Sequence, residues 1–258
     1  MRIGSYIKTS LVDKLEASAK LIQEICTTAG AAGLSAGILH EKKIIYQSHY
    51  GVRSVAAQVA PNNETIYHLG SLTKALTAAG IGTLVDEGKL AWDSRLIDVV
   101  PNFSQRNKYV ESEATITDLL AHHMGLAMRM DYWAQMEQEL LVSSDQAVDV
   151  LGALNRTADF RTTIKYNNWT YLVAGQIIER LSGSSLEGFM RTRFFESLGL
   201  HRKTFGKVDD ANYATAHTTL SNGEPFGIEC PRITSGTVMA GAAGLKSSLG
   251  DLLQICSL

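Results

Sequence analysis

Two stretches of this chain combine residue types and spacing that suit nucleophilic catalysis: Gly70-Ser71-Leu72-Thr73-Lys74 and, far along the chain, Tyr166-Asn167-Asn168. Positions three apart on a helix share a face, so a helix starting here lets Ser71 and Lys74 touch. A serine hydroxyl is a weak nucleophile until a base takes its proton. A free lysine, with a pKa of about 10.4, is protonated at neutral pH and cannot be that base; burial or a neighbouring cation lowers the value. The first turn of a helix adds unpaired N–H groups and a positive dipole end, both favourable to an oxyanion. Gly70 lets the backbone come close to a substrate. Tyr166-Asn167-Asn168 is the only Tyr-x-Asn in a chain with nine tyrosines. A phenol beside a cation can pass protons, and the Asn168 amide can hold the lysine and bind a substrate carbonyl. Plainer readings stay open on spacing alone. Ser71 can be a helix cap with Lys74 a solvated charge, and the asparagines can cap a helix after a packed tyrosine. Ser5-Tyr6-Ile7-Lys8 has the same Ser-x-x-Lys letters with no supporting elements around it.

The elements that would position these groups follow from periodicity. Leu11, Leu15, Ile22 and Ile25 recur at helical spacing, predicting an amphipathic helix over residues 9–28 that stops at Gly30. Residues 34–40 and 43–50 read as two strands of a hairpin around Glu41-Lys42, and residues 65–69 as a further extended segment. A helix should start close to Ser71 and end at Gly88. From residue 91 to 233 the pattern is mainly helical, with starts at Thr117-Asp118 and Ser143-Ser144-Asp145 and a run from Tyr171 to Leu181 ending at Gly183; strand signal is nearly absent. Residues 236–244 read as a glycine-rich loop, and a last helix runs from Ser247. The fold class is α+β: an antiparallel sheet flanked by helices, with a mainly helical region inserted. The organisation expected is one domain over 1–258, made of an N-terminal α+β part (1–90), the helical region (91–233) and a return segment (234–258).

The motifs in this order resemble the serine β-lactamase and penicillin-binding-protein superfamily. His68-Leu69-Gly70-Ser71-Leu72-Thr73-Lys74, followed by residues 84–90, is similar to that family's nucleophile helix and the turn after it. Residues 93–101 resemble its proline-containing segment. Residues 115–126 resemble its Thr-Ile-x-x-Leu-Leu-x-His-x-Ser-Gly-Leu run. Tyr166-Asn167-Asn168 with residues 171–183 resembles its second motif, and Gly241 to Leu245 with Ser247, Ser248 and Asp251 its Gly-Gly-Leu segment. The Tyr-x-Asn form is like class C β-lactamases, related esterases, D-amino-acid peptidases and fungal acyltransferases. The resemblance implies an acyl-enzyme mechanism without metal or cofactor. In it Ser71 attacks a carbonyl, Lys74 and Tyr166 manage its proton, and Asn168 and Gly70 shape the substrate site. It points to hydrolysis or acyl transfer on a small ester, thioester or amide, with an esterase or transesterase favoured.

That family's third motif, a Lys-Thr-Gly or His-x-Gly strand well beyond the Gly-Gly-Leu segment, is missing, and no Lys-x-Gly occurs in the chain. His123-Met124-Gly125 matches by letters but lies between the first two motifs. The expectation is a chain truncated before its last strands, leaving the hairpin edge unpaired and, with an oxyanion donor worth about 3–4 kcal/mol gone, hydrolysis slow or absent. The alternative from another class is an inactive β-lactamase-like protein that binds a ligand or partner, or a non-functional fragment.

The remaining features narrow the setting. With a net charge of -2 and no Lys/Arg-rich run, nucleic acid is not an expected partner. Cys26, Cys230 and Cys256 show no metal or disulfide spacing and read as buried or incidental thiols. No apolar run is long enough to span a bilayer or serve as a secretion signal, so a cytoplasmic protein without membrane contact is expected. Adjacent histidines on a helix point about 100° apart, which makes His122-His123 structural or capping residues rather than metal ligands. Met124, Met128, Met130, Tyr132, Trp133 and Met136 form a soft apolar stretch, either core or an acyl pocket. Trp169 packs the helix that follows it. Oligomeric state is not legible.

Overall fold

The computed structural model describes residues 11–129, 140–230 and 232–257. Residues 11–17 are helical and lead into α1 (Ala19–Thr28), as the periodicity predicts, although Leu21 and Ile25 stay more than half exposed and Cys26 is the residue α1 buries. Strands β1 (Gly33–His40) and β2 (Lys43–Gly51) form the expected antiparallel hairpin. Its two linking residues, Glu41 and Lys42, both have positive φ, 49° and 61°, the turn whose twist matches that of paired strands. The hairpin is a two-stranded sheet of its own among the described residues.

The segment at residues 65–69 supplies β3 (Ile66–His68), followed by one 3₁₀ turn, Gly70–Leu72, and then helix α2 (Thr73–Asp86). Gly88, at φ 69°, closes this helix in the left-handed conformation that glycine takes without a Cβ penalty. Helix α3 (Ile116–Leu120) begins one residue before the expected start at Thr117-Asp118. Its cap is Thr115, whose hydroxyl accepts the Asp118 N–H while the Asp118 carboxylate accepts the Thr115 N–H. Ser143 and Gln146 make a second reciprocal cap ahead of α4 (Ala147–Ala153). Helix α5 (Asn168–Ser182) ends at Gly183, as expected.

Three short strand pieces interrupt the region read as helical: β4 (Lys203–Thr204), β5 (His217–Thr219) and β6 (Pro225–Gly227). Runs of two or three residues are too short to display a two-residue period, so the sequence hides them. The stretch read as a glycine-rich loop contains a helical turn, α6 (Ala240–Ala243). The last helix also starts later than Ser247. Lys246–Ser248 is strand β7, the centre of a sheet ordered β3-β7-β4, and α7 (Leu249–Cys256) begins with Ser248 as its cap. All three β7 residues are buried although Lys246, Ser247 and Ser248 are polar, so neither an apolar run nor an alternation marks this strand in the sequence.

A single apolar cluster runs from Ile81 and Leu84 of α2 through Leu119, Leu151 and Trp169 to Leu245. Trp169 is fully buried and packs the start of α5, as expected; Met124 is buried, and Met128 is exposed. Met130, Tyr132, Trp133 and Met136 lie outside the described residues. Of the three free thiols, Cys26 is buried, Cys230 partly so and Cys256 exposed. Among the described residues no helix is long and apolar enough to cross a membrane.

Candidate active site

The turn that carries Ser71 is fastened from behind by α6 and the residues after it. Gly70 has φ 51° and nothing near the position a Cβ would take, so it bends the chain from β3 into α2 and leaves its own face open. The Thr73 hydroxyl donates to the Gly70 carbonyl at 2.6 Å and accepts the Leu245 N–H at 3.0 Å. Leu69 N–H donates to the Leu245 carbonyl at 3.0 Å, and the Thr77 hydroxyl to the Gly241 carbonyl at 2.7 Å. Gly241 can only be glycine here, because a Cβ would collide with the carbonyl oxygen of Tyr171 on α5. Three helices therefore meet behind Lys74.

Ser71 is exposed in the 3₁₀ turn, and Lys74 lies in the first turn of α2. The Lys74 ammonium donates to the Ser71 hydroxyl at 3.1 Å and to the Ala242 carbonyl at 2.9 Å. It also sits 5.0 Å from the ring centre of Tyr166 and 5.5 Å from that of Tyr171. Burial pushes the lysine pKa below its ordinary value, while the Tyr166 hydroxyl works in the opposite direction. The phenol oxygen of Tyr166 shares a hydrogen bond of 2.7 Å with the Ser71 hydroxyl. One oxygen thus has an amine on one side and a phenol on the other.

Tyr166 arrives on a non-helical segment held by the stretch after α3. Lys165 N–H donates to the His122 carbonyl at 2.9 Å, and Asn167 N–H to His122 Nδ1 at 3.2 Å. The Asn167 side chain donates to the Ala127 carbonyl at 2.9 Å and accepts Trp169 N–H at 2.9 Å, so Asn167 caps α5. Asn168 is the first residue of that helix and is buried. The guanidinium of Arg161 grips the buried Asp118 carboxylate through bonds of 2.8 and 2.7 Å, tying the segment before Tyr166 to α3.

Sequence reasoning gave His122 a structural role without linking it to Tyr166, and left Tyr171 and the Ala242 carbonyl unassigned. The His122 ring packs 4.7 Å from the Tyr166 ring, and its pKa is lowered to about 4 by burial and by Lys74. It is therefore a neutral prop whose Nδ1 accepts a backbone N–H, in keeping with the structural role expected of it. Tyr171, anchored by its hydroxyl on the Leu120 carbonyl at 3.0 Å, floors the lysine pocket. The Ala242 carbonyl receives the ammonium. A backbone carbonyl carries no residue-type signal, but Tyr171, five positions past Tyr166, was a visible candidate.

Residues 18–258 match the family model described as Beta-lactamase. The chain is 32% identical over 152 residues to penicillin-binding protein 4 of Amycolatopsis lactamdurans, covering 59% of this chain and 39% of that protein. Among solved structures, the octameric penicillin-binding protein homologue from Pyrococcus abyssi superposes with a TM-score of 0.80 at 26% identity, covering 95% of this chain and 55% of that one. EstCE1, a hydrolase with promiscuous acyltransferase activity, shares the fold with a TM-score of 0.79 at 20% identity, covering 95% of this chain and 72% of its own. The chain spans between 36% and 40% of the length of three curated relatives it matches.

Proposed function

The chain belongs to the beta-lactamase family, and on that premise we propose that it is a serine hydrolase or acyltransferase acting through an acyl-enzyme on a small ester, thioester or amide. The observation that carries this reading is the position of the Ser71 hydroxyl, 3.1 Å from the Lys74 amine and 2.7 Å from the Tyr166 phenol. In the proposed reaction the Ser71 oxygen attacks the substrate carbonyl as its proton passes to the Lys74–Tyr166 pair. Desolvation of Lys74 lowers its proton affinity, which suits this transfer. The positive end of the 14-residue α2 faces the oxyanion that forms. Tyr166 then returns the proton to the departing alcohol, thiol or amine, leaving an ester on Ser71. Water entering next to Tyr166 gives hydrolysis; an alcohol or amine in its place gives acyl transfer. Asn168 and Gly70 are proposed to line the substrate side.

A fluorophosphonate probe tests the reading directly. Mass spectrometry should find the phosphonyl adduct on the peptide containing Ser71, and Ser71→Ala should abolish it. A folded wild-type chain that takes no label while a control serine hydrolase is labelled would overturn the proposal in favour of a non-catalytic binding protein.

A further inference from the structure

Beside β3 lies a cavity of about 500 Å³ that the proposed chemistry does not use, lined by His68, Lys207, Tyr213, Cys230, Arg232 and Lys246 among others. Lys246 is its most unusual wall. It sits on β7 directly opposite His68 of β3 and is only 3% exposed. Its ammonium donates to two carbonyls, Ile233 at 2.7 Å and Gly244 at 3.3 Å, and makes no ion pair among the described residues. A buried ammonium satisfied by neutral acceptors alone retains both its charge and one N–H for a ligand. The nearby Glu187 is already engaged by the Thr204 hydroxyl at 2.6 Å and by Gly206 N–H. Lys207 and Arg232 add positive charge at the rim, where Arg232 also pairs with Glu229, and among the described residues no Asp or Glu lines the cavity. Burial lowers the Lys246 pKa to about 8, a cost that a bound anion would offset. His68, held edge-on by Tyr213 and with its pKa near 4, stays a neutral hydrogen-bonding group.

This cavity shares His68, Cys230 and Ile233 with a second one of about 360 Å³, whose wall includes Gly70, the residue before Ser71. The same three residues therefore border both the space beside Gly70 and the space in front of Lys246. We propose that this cavity binds a carboxylate of the substrate, so that the protein acts on esters or amides carrying an anionic carboxylate remote from the reacting carbonyl. The inference rests on Ser71 being the nucleophile, but the binding step does not.

The two are separated by measuring binding and turnover on different proteins. Calorimetry with adipate on Ser71→Ala should detect binding that weakens by about tenfold or more in Ser71→Ala/Lys246→Met, whose fold is checked by circular dichroism. The exposed rim variant Lys207→Ala, which keeps the core intact, should weaken it severalfold. In the Ser71-containing protein, 4-nitrophenyl hydrogen adipate or 3-acetoxybenzoate should be preferred over 4-nitrophenyl butyrate or phenyl acetate in kcat/KM, and Lys246→Met should erase that preference. Absence of adipate binding, binding indifferent to Lys246 and Lys207, or a carboxylate preference surviving Lys246→Met would each overturn the proposal. Adipate binding that depends on Lys246, without turnover of any ester, would leave the cavity assigned and remove the hydrolase reading.

Discussion

Lys74 and Tyr166 reach the same hydroxyl from regions built in opposite ways. Lys74 projects from a 14-residue helix into a pocket closed by α5 and α6, where it is 7% exposed and bonded to a carbonyl of a glycine-tight crossing. Tyr166 stands on an irregular segment, 42% exposed, kept in place by hydrogen bonds from its neighbours to His122 and Ala127. Packing fixes the amine and tunes its proton affinity by desolvation. Backbone bonds fix the phenol and leave it open to solvent. The difference suits a division of labour in which one group accepts a proton in a dry pocket and the other exchanges it with a leaving group or water. It also means that damage on each side should look different.

The largest effects should fall on activity alone. Lys74→Met is expected to cut turnover of an activated ester by about a thousandfold or more, since it removes the proposed base of Ser71. Stability should hold or rise, because an apolar chain of similar volume occupies the pocket without a buried charge. Ser71→Ala should be as severe, and combining the two should add little. Tyr166→Phe should cost about a hundredfold to ten-thousandfold in kcat. Its unfolding free energy should shift by only about 0.5 kcal/mol, because the lost bond is to an exposed hydroxyl. Ester hydrolysis and urea unfolding on the same samples check both. A Tyr166→Phe protein that unfolds far more easily would break the contrast between the two sides.

The gathering of Ser71, Lys74 and Tyr166 was legible in the sequence because these residue types sit at fixed offsets from helix starts. Ser71 and Lys74 are a helical turn apart, and Tyr166 precedes a long apolar period that could only be a helix. The hairpin was legible because β1 and β2 are eight and nine residues long around a polar pair. What escaped was short or buried on all sides. Strand β7 has no alternation to show, and its Lys246 reads as a surface residue until the fold closes over it. The Ala242 carbonyl and the His122 ring act through position, which residue type does not encode. The helix boundaries missed by a few residues, at Thr115 and Leu249, are places where a side-chain cap rather than hydrophobic period decides the start.

On the packed side, Gly241→Ala tests whether Lys74 depends on the helix crossing. The new methyl meets the Tyr171 carbonyl, so α6 must move away from α5. Destabilisation of about 1–3 kcal/mol is expected by denaturant unfolding. Activity should fall as well, since the Ala242 carbonyl that holds the ammonium moves with α6. Unchanged activity in a clearly destabilised protein would show that Ser71 and the aromatic rings suffice to place the lysine.

The smallest effect concerns the prop on the tyrosine side. His122 has its pKa lowered from 6.5 to about 4, first by burial and then by the charges of Lys74 and His123. The unfolded chain therefore takes up a proton between these values that the folded chain refuses, so stability should fall as pH drops from 6.5 and level off below about 4. The ring is only about half buried, and solvent screening reduces its share to about 1 kcal/mol. His122→Asn should flatten that part of the profile. Asparagine tolerates the left-handed backbone found here, φ 59°, and still offers an oxygen near the Asn167 N–H. His68, also lowered to about 4, should keep a residual acid slope in the variant, and His122→Asn/His68→Gln should remove most of it. Melting temperatures measured between pH 4 and 8 resolve the two contributions. If His122→Asn leaves the acid slope intact, the imidazole is not the acid-sensitive prop of Tyr166, and the hydrogen bonds to the His122 and Ala127 carbonyls must hold the phenol by themselves.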